Sequence, residues 1–425
     1  MDFSKIIFWP VFLVSIICLL FVPSISNSLT LEEALSLAKQ NLPSYKASEL
    51  QIKSSEAIFH SSFSPYLPSI DASTTHQRIF TSQEELTSRT YDLTLAYTLF
   101  DGGYRKAKRN IARLNLDIST EDFKKNLLDL EYNVKVAFYN AIAKKEIEEQ
   151  RKIQLKDAEK DYEVAEGRYK FGVAKLSDTL QASVRLEQAR FNLVQAEGEY
   201  KKALSDLNSL IGNPLDTEEV LQGSLDIKDE YPDIDKLFFI TLQRPEIKQA
   251  EDLLKISEQN KLVSRSSFFP SIYLNASYIK TGGDLSRTSF SEEKTAGLTA
   301  RWNIFDLGKF YTLRSSEFDR RITVENLNDL KRQLLLNINN TYQDYITASK
   351  NLLVAKEQLK QAEHNYSQAL GEYKVGKADI LSLILAESLL SNSREQLVNA
   401  KLSLILSKTL LERTAGIHSL ESLQD

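Results

Sequence analysis

The sequence predicts a mainly α-helical chain with a β-barrel part, built from two structural repeats that each carry two strands of transmembrane length. Three observations carry this expectation. Landmarks recur in the same order about 200 residues apart, two stretches of more than 60 residues lack both Gly and Pro, and four short segments alternate apolar and polar residues. The chain has 425 residues with only 14 Gly and 9 Pro, and its last proline is Pro270. Few breaks imply long uninterrupted elements. Hydrophobic residues make up 42% and charged residues 26%, which excludes a disordered chain and a multispan helical membrane protein. A net charge of −5 gives no footprint for nucleic acid. A lone Cys18 and four scattered histidines exclude a disulfide framework and argue against a Cys/His zinc site.

The first 28 residues read as an export signal. Lys5 precedes an apolar run from Ile6 to Val22, and small residues follow at Ser24, Ser26 and Ser28. Cleavage after Ser26 or after Ser28 fits the small-x-small rule. The alternative is an uncleaved anchor, since the run is close to the shortest membrane span. Ile17 before Cys18 argues against lipidation, so the mature chain is expected to hold no cysteine.

The duplication sets the domains. Pro43 recurs as Pro245 and Pro68-Ser69-Ile70 as Pro270-Ser271-Ile272, both 202 residues apart. Leu99-Phe100-Asp101-Gly102-Gly103 recurs as Ile304-Phe305-Asp306-Leu307-Gly308, and Gly167-Arg168-Tyr169-Lys170-Phe171-Gly172 as Gly371-Glu372-Tyr373-Lys374-Val375-Gly376. The first repeat covers 29–211 and the second 236–416, with a linker at 212–235 and a tail at 417–425. Each repeat opens with a helix; Thr30 and Glu33 form a capping box at the first. Prolines then mark the passage to strands, placed at about 69–80 and 90–100, then at about 271–280 and 295–305.

The strands lead into long helices. No Gly or Pro falls between Gly103 and Gly167 or between Gly308 and Gly371, enough for roughly 90 Å of helix at 1.5 Å per residue. Heptad seams run through them. Leu186, Leu193, Tyr200 and Leu207 repeat every seven residues beside Ala189, Ala196 and Ala203; Leu390, Leu397, Leu404 and Leu411 do so beside Ser393, Ala400 and Ser407. A three-four series from Leu334 to Tyr366 predicts coiled-coil packing with close helix approach.

The strands decide between functions. Tyr91, Leu93, Leu95 and Tyr97 alternate with polar residues, as do Leu298 and Trp302 in the later segment. This is the length and period of a transmembrane strand. Lipid is then expected against Tyr91, Leu93, Leu95, Tyr97, Leu298 and Trp302, and the lumen against Thr94, Thr299 and Arg301. Four strands are too few to close a barrel, and open edges cannot stand in hydrocarbon, so membrane insertion demands an oligomer. The competing reading is a periplasmic or secreted coiled-coil scaffold or adaptor, whose strands form a small soluble sheet lying on a helix.

Leu29-Thr30-Leu31-Glu32-Glu33-Ala34-Leu35, the Leu99–Gly103 turn and Gln243-Arg244-Pro245-Glu246 together resemble the TolC family of outer-membrane efflux proteins. The resemblance covers nearly the whole mature chain. It implies a homotrimer whose chains contribute four strands each to a twelve-stranded barrel in outer-membrane lipid, continued by an α-helical coiled-coil tunnel across the periplasm. The implied role is a passive, porin-like exit duct of a tripartite efflux or type I secretion system. It would dock a periplasmic adaptor and an inner-membrane transporter, exporting drugs, metals or polypeptides.

Asp101, Gly102, Gly103, Asp306 and Gly308 mark strand-to-helix turns, where Asp can cap a helix and Gly permits a tight turn. Glycines five apart at 167 and 172, and at 371 and 376, allow a helical hairpin to reverse. The resemblance assigns adaptor docking to these tips, here Phe171, Gly172, Val173, Val375, Gly376 and Lys377. It also assigns closure there, through a Tyr and an Arg of the second hairpin bonded to an Asp of the first, with acidic rings at the aperture. Tyr373 and Asp178 match the candidate gate. Ala378 stands at the Arg position, Ser382 and Leu385 stand at the ring positions, and Asp379 reads as a solvated tip residue or a substitute charge. No phosphate-binding, nucleophile-elbow or metal-spacing motif occurs, so neither an enzyme nor a cofactor is expected.

Overall fold

The computed structural model describes residues 28–423 apart from 81, 83–84, 227–230 and 284–289. The expected signal peptide, but for Ser28, lies outside the described residues. The element order repeats as the duplication requires: two helices, two strands and a long helical hairpin, twice over. The first repeat holds α1 (Leu31–Asn41), α2 (Pro43–Ser61), β1 (Ser69–Phe80), β2 (Glu85–Phe100), α3 (Tyr104–Lys170) and α4 (Leu176–Ile211). The second holds α5 (Ile234–Thr241), α6 (Pro245–Ser266), β3 (Ser271–Gly283), β4 (Ser291–Arg301), α7 (Leu307–Lys374) and α8 (Ile380–Ala415). Pro43 and Pro245 each occupy the first turn of a helix, where a missing N–H costs nothing.

α3 has 67 residues and α7 has 68, each about 100 Å long at 1.5 Å per residue. They exceed the expected length because Gly167 and Gly371 lie inside the helices rather than in the reversals. α4 folds back along α3 and α8 along α7, while α2 and α6 extend beside the sheet-proximal halves. The heptad positions face inward. Leu186, Ala189, Ala196, Ala203, Leu207, Leu390, Ser393, Leu404 and Leu411 are buried, as are Leu334, Ile338, Tyr345, Ala348, Leu352, Ala355, Ala362 and Tyr366. Small residues at these seams let the helices approach closely.

After the first repeat, residues 213–226 run as a strap. Leu29 and Leu221 form a parallel bridge, the Leu29 amide donating to the Val220 carbonyl at 2.8 Å. Leu221 and Leu225 are buried beside Val134, Phe138 and Ile142 of α3. The strap therefore fixes Leu29 against the first hairpin.

The strands form one antiparallel sheet in the order β1-β2-β3-β4, so its central pair joins the two repeats. β2 begins earlier than the pattern predicts, at Glu85. β4 spans 291–301 rather than 295–305, so Trp302 lies beyond the strand's end. Among the described residues no helix lies across either sheet face, and every residue of β1 and β4 is exposed. The expectation of a soluble sheet lying on a helix is thus not met.

Candidate functional site

The register gathers most apolar residues of the four strands on one face. Ile70 pairs with Leu95, which pairs with Ala276 and so with Ala296. The neighbouring rows are Ala72, Leu93, Tyr278 and Lys294, then Tyr97, Leu274 and Leu298. The opposite face is polar, as in the row Asp71, Thr94, Ser277 and Thr295, with Ser277 and Thr295 hydroxyls 2.6 Å apart. Thr299 and Arg301 share that face. One correction concerns the end of β2. Pairing skips Leu99 between Thr98 and Phe100, and this bulge inverts the alternation, so Phe100 joins Ile272 on the apolar face.

From Tyr91 to Phe100 the apolar band runs nine steps, roughly 30 Å along the strand. Tilted at 35–45°, that is about 21–25 Å of height, close to the roughly 25 Å apolar band of outer-membrane barrels. Charge enters at the outer rows of the band: Lys294 lies opposite Tyr278, Lys280 opposite Tyr91 and 3.4 Å from Glu292, and His76 pairs with Arg89 just beyond. Ile70 is 66% exposed and Leu298 67%. In water such a patch would be a liability.

Below the sheet the turns are built differently in the two repeats. Asp306 caps α7, accepting the Gly308 amide at 2.8 Å. Asp101 sits two residues further from its helix. Its carboxylate accepts the Gly103 and Arg105 amides at 3.1 and 3.0 Å, while Gly103, at φ 91°, holds the cap position. Gly102 is also left-handed (φ 66°), and a Cβ there would lie 2.6 Å from the Ser266 carbonyl oxygen. Arg105 then ties helix to sheet, donating to Asp101 and to the Pro65 and Thr98 carbonyls. Trp302 Nε1 donates to the Phe268 carbonyl, which makes it part of the sheet–helix junction. Exposed Phe269, Phe305, Phe310 and Tyr311 surround this level.

At the far end both hairpins reverse through the same motif. The Gly172 amide donates to the Tyr169 carbonyl and Val173 to that of Arg168; Gly376 donates to Tyr373 and Lys377 to Glu372. These paired bonds define Schellman caps, whose left-handed residue is Gly172 (φ 72°) or Gly376 (φ 79°). The reversal thus needs one glycine of each pair. Phe171, Val173, Val375 and Lys377 project outward, Phe171 being 86% exposed. The second limbs start unequally. Lys175 supplies no side-chain cap for α4, whereas Asp379 caps α8, accepting the Ser382 amide at 2.9 Å and hydroxyl at 2.7 Å. Asp379 is therefore a capping residue, and these bonds hold its carboxyl below the usual range.

The structure does not join Tyr373 to Asp178 within one chain. Tyr373 is buried, its hydroxyl has no hydrogen-bond partner among the described residues, and the Arg168 guanidinium lies 4.5 Å from its ring centroid. Burial raises the Tyr373 pKa, with Arg168 opposing and Asp178 and Asp161 adding to the rise. Other polar ties lace the hairpins together. Tyr366 donates to Asp161 at 3.1 Å, Arg394 pairs with Asp157 at 3.0 Å, Arg185 pairs with Glu387, and Arg151 with Glu395. Sequence reasoning missed Arg168, Asp161, Arg185 and Glu387, because charged residues on long helices ordinarily read as solvated faces. The available signal was Tyr366, a polar-tipped residue at the tip end of the Leu334–Tyr366 seam.

A family profile described as outer membrane efflux protein matches residues 34–213 and 240–416. The chain is 24% identical over 348 residues to the probable efflux pump outer membrane protein TtgC of Pseudomonas putida, covering 79% of this chain and 71% of that protein. The same values hold for the antibiotic efflux pump outer membrane protein ArpC of Pseudomonas putida. Among solved structures, the Campylobacter jejuni CmeC outer membrane channel superposes with a TM-score of 0.79 at 19% identity, over 91% of this chain and 85% of that one. The outer membrane protein VceC of Vibrio cholerae gives 0.78 at 18%, over 91% and 96%. The open state of the Neisseria gonorrhoeae MtrE channel gives 0.76 at 19%, over 91% and 89%.

Proposed function

This chain belongs to the outer membrane efflux protein family, and on that premise we propose how its sheet and hairpins make the exit duct. The protein is an outer-membrane efflux channel with a TolC-like fold. Three copies pool their strands, the β4 edge of one chain pairing with the β1 edge of the next to close a twelve-stranded barrel. The observation that carries this reading is the uncovered sheet, which among the described residues combines one apolar face, one polar face and two unpaired edges. Strand directions favour it, since alternating antiparallel order places β4 and the next β1 antiparallel. Closure satisfies every edge N–H and C=O, each worth several kcal/mol in hydrocarbon.

The helical hairpins extend into the periplasm, and their tips meet a periplasmic adaptor through Phe171, Gly172, Val173, Val375, Gly376 and Lys377. Asp178 and Tyr373 belong to the closure at the same end, with the inner-membrane transporter reached through the adaptor or by tip contact. An open bore would leak solutes between transport events, and the converging helices offer the narrowest place to shut it. Purified protein is expected as a detergent-requiring, heat-modifiable trimer with a clear β contribution to circular dichroism. A water-soluble, nearly all-helical monomer would overturn the barrel. Crosslinking from cysteines placed at Val173 and Lys377 is expected to capture one adaptor, and through it the transporter class.

A further inference from the structure

Among the described residues, the seam between the hairpins holds a carboxyl without a counter-ion. Asp161 of α3 is buried, and its hydrogen bond comes from the Tyr366 hydroxyl of α7 at 3.1 Å. The charged groups facing it are committed elsewhere or turned away. On α3, Asp157 pairs with Arg394 of α8, and Lys160 is exposed. On α8, the buried Glu387 pairs with Arg185 of α4. On α7, the next ring towards the tip is Tyr373, which carries Arg168 on its face. An ionised Asp161 would thus add a negative charge near Glu387 and Asp157, whose arginines are already engaged. A neutral carboxyl keeps its place in the seam without that repulsion, and its carbonyl oxygen still accepts from Tyr366.

We propose that Asp161 is a proton-binding latch between the two hairpins, which lie together when its carboxyl is neutral and part when it ionises. The proposal rests on the reading of the tips as the closure, and adds what governs them. Burial pushes the Asp161 carboxyl up to about 7; Glu387 and Asp157 push the same way, while the Tyr366 bond and Lys160 oppose it. An acid whose pKa is raised in the apposed form stabilises apposition most fully below its ordinary value of 3.8. That contribution falls as pH rises towards about 7 and is constant above. If parting exposes Asp161 to water, the ratio of parted to apposed hairpins rises about tenfold between pH 6 and pH 8.

The test measures distance rather than transport. Lys170 and Lys374 are exposed at the ends of α3 and α7, and the only native cysteine, Cys18, lies in the segment expected to be removed. Spin labels on Lys170→Cys and Lys374→Cys in the full trimer should show a longer-distance population whose ratio to the short one rises about tenfold from pH 6 to pH 8. Asp161→Asn keeps an acceptor for Tyr366 but cannot ionise, so it should hold the short distance at every pH. Tyr366→Phe removes a bond that favours the ionised form, so its midpoint should move to higher pH. Distances that ignore pH, an Asp161→Asn variant that moves like wild type, or a Tyr366→Phe midpoint that stays or falls each overturn the latch. Single-channel conductance recorded alongside separates the two ideas. Hairpins that part without a change in conductance leave the latch standing and remove the tips as the closure.

Discussion

The sheet makes its sharpest prediction at two adjacent residues. Leu95 lies between Ile70 and Ala276 on the apolar face, near the middle of the Tyr91–Phe100 band, and Thr94 lies between Asp71 and Ser277 on the other. A lysine on the lipid face at the bilayer midplane costs about 2–4 kcal/mol, whereas lumen positions tolerate charge. Leu95→Lys should therefore lose about 2–4 kcal/mol per chain. Thr94→Lys places an ammonium opposite the Asp71 carboxylate, and a cross-strand pair of opposite charges contributes about 0.2–1 kcal/mol. One residue of displacement along β2 then separates a folded-to-unfolded ratio lowered roughly 30- to 1000-fold from one left alone or slightly raised. Denaturant titration in lipid vesicles, followed by the loss of heat-modifiable trimer, measures the gap. Equal midpoints for the two variants, or a lower one for Thr94→Lys, would refute the register or the barrel itself.

The tips and the base of the helices give further predictions. Arg168→Ala removes a cation–π contact worth about 0.5–2 kcal/mol and should raise the conductance of the resting trimer. Tyr373→Phe keeps the ring under Arg168 and should leave conductance near the wild-type value, because the lost hydroxyl has no partner among the described residues. Gly172→Asn and Gly376→Asn, which tolerate the left-handed conformation, should retain export, whereas Val at either site should abolish it with trimers intact; a competent Val variant would remove the turn geometry from docking. The last concerns Glu131. Its burial works against ionisation, but Lys39 and His418 hold its carboxyl below the ordinary 4.5. A lowered carboxyl contributes stability above that ordinary value and loses it as pH falls through the folded one. Hydrogen exchange in Leu420–Leu423, next to His418, should accelerate below about pH 4.5, and Glu131→Gln should remove that dependence.

Much of the architecture was legible because duplication makes each half a check on the other. The paired prolines at 43 and 245 marked the duplication, and the long gaps between glycines gave the hairpins. Period-two alternation found the strands, and pairing put most of their apolar positions on one face. The misreadings share a physical cause: local pattern cannot see a backbone that changes phase. A bulge at Leu99 swaps the faces of its neighbours. β4 ends at Arg301 although Trp302 and Ile304 continue the alternation, because Trp302 is drawn to the Phe268 carbonyl. Gly167 and Gly371 look equivalent to Gly172 and Gly376 in sequence, yet only the latter pair meets a position that demands positive φ.

The tip was harder to read for a different reason, which bears on the closure proposed for it. The residues that usually mark closure in the resembled family are incomplete here: Ala378, Ser382 and Leu385 stand where charge was expected, and Asp379 is engaged in capping α8. Loss of those charges does not leave the hairpins untied. Asp157, Asp161, Arg185 and Glu387 put ionic and hydrogen-bonding contacts, and Arg168 a cation–π contact, along the α3, α4, α7 and α8 seams instead. Exposed charges at an aperture are screened within about 8 Å at physiological ionic strength, while charges inside a seam are screened far less. If the hairpin tips close the duct as proposed, moving the ties inward would exchange a closure sensitive to salt for one sensitive to protonation. No local sequence motif marks that exchange, because each residue involved is an ordinary charge on a long helix until the partner hairpin is laid beside it.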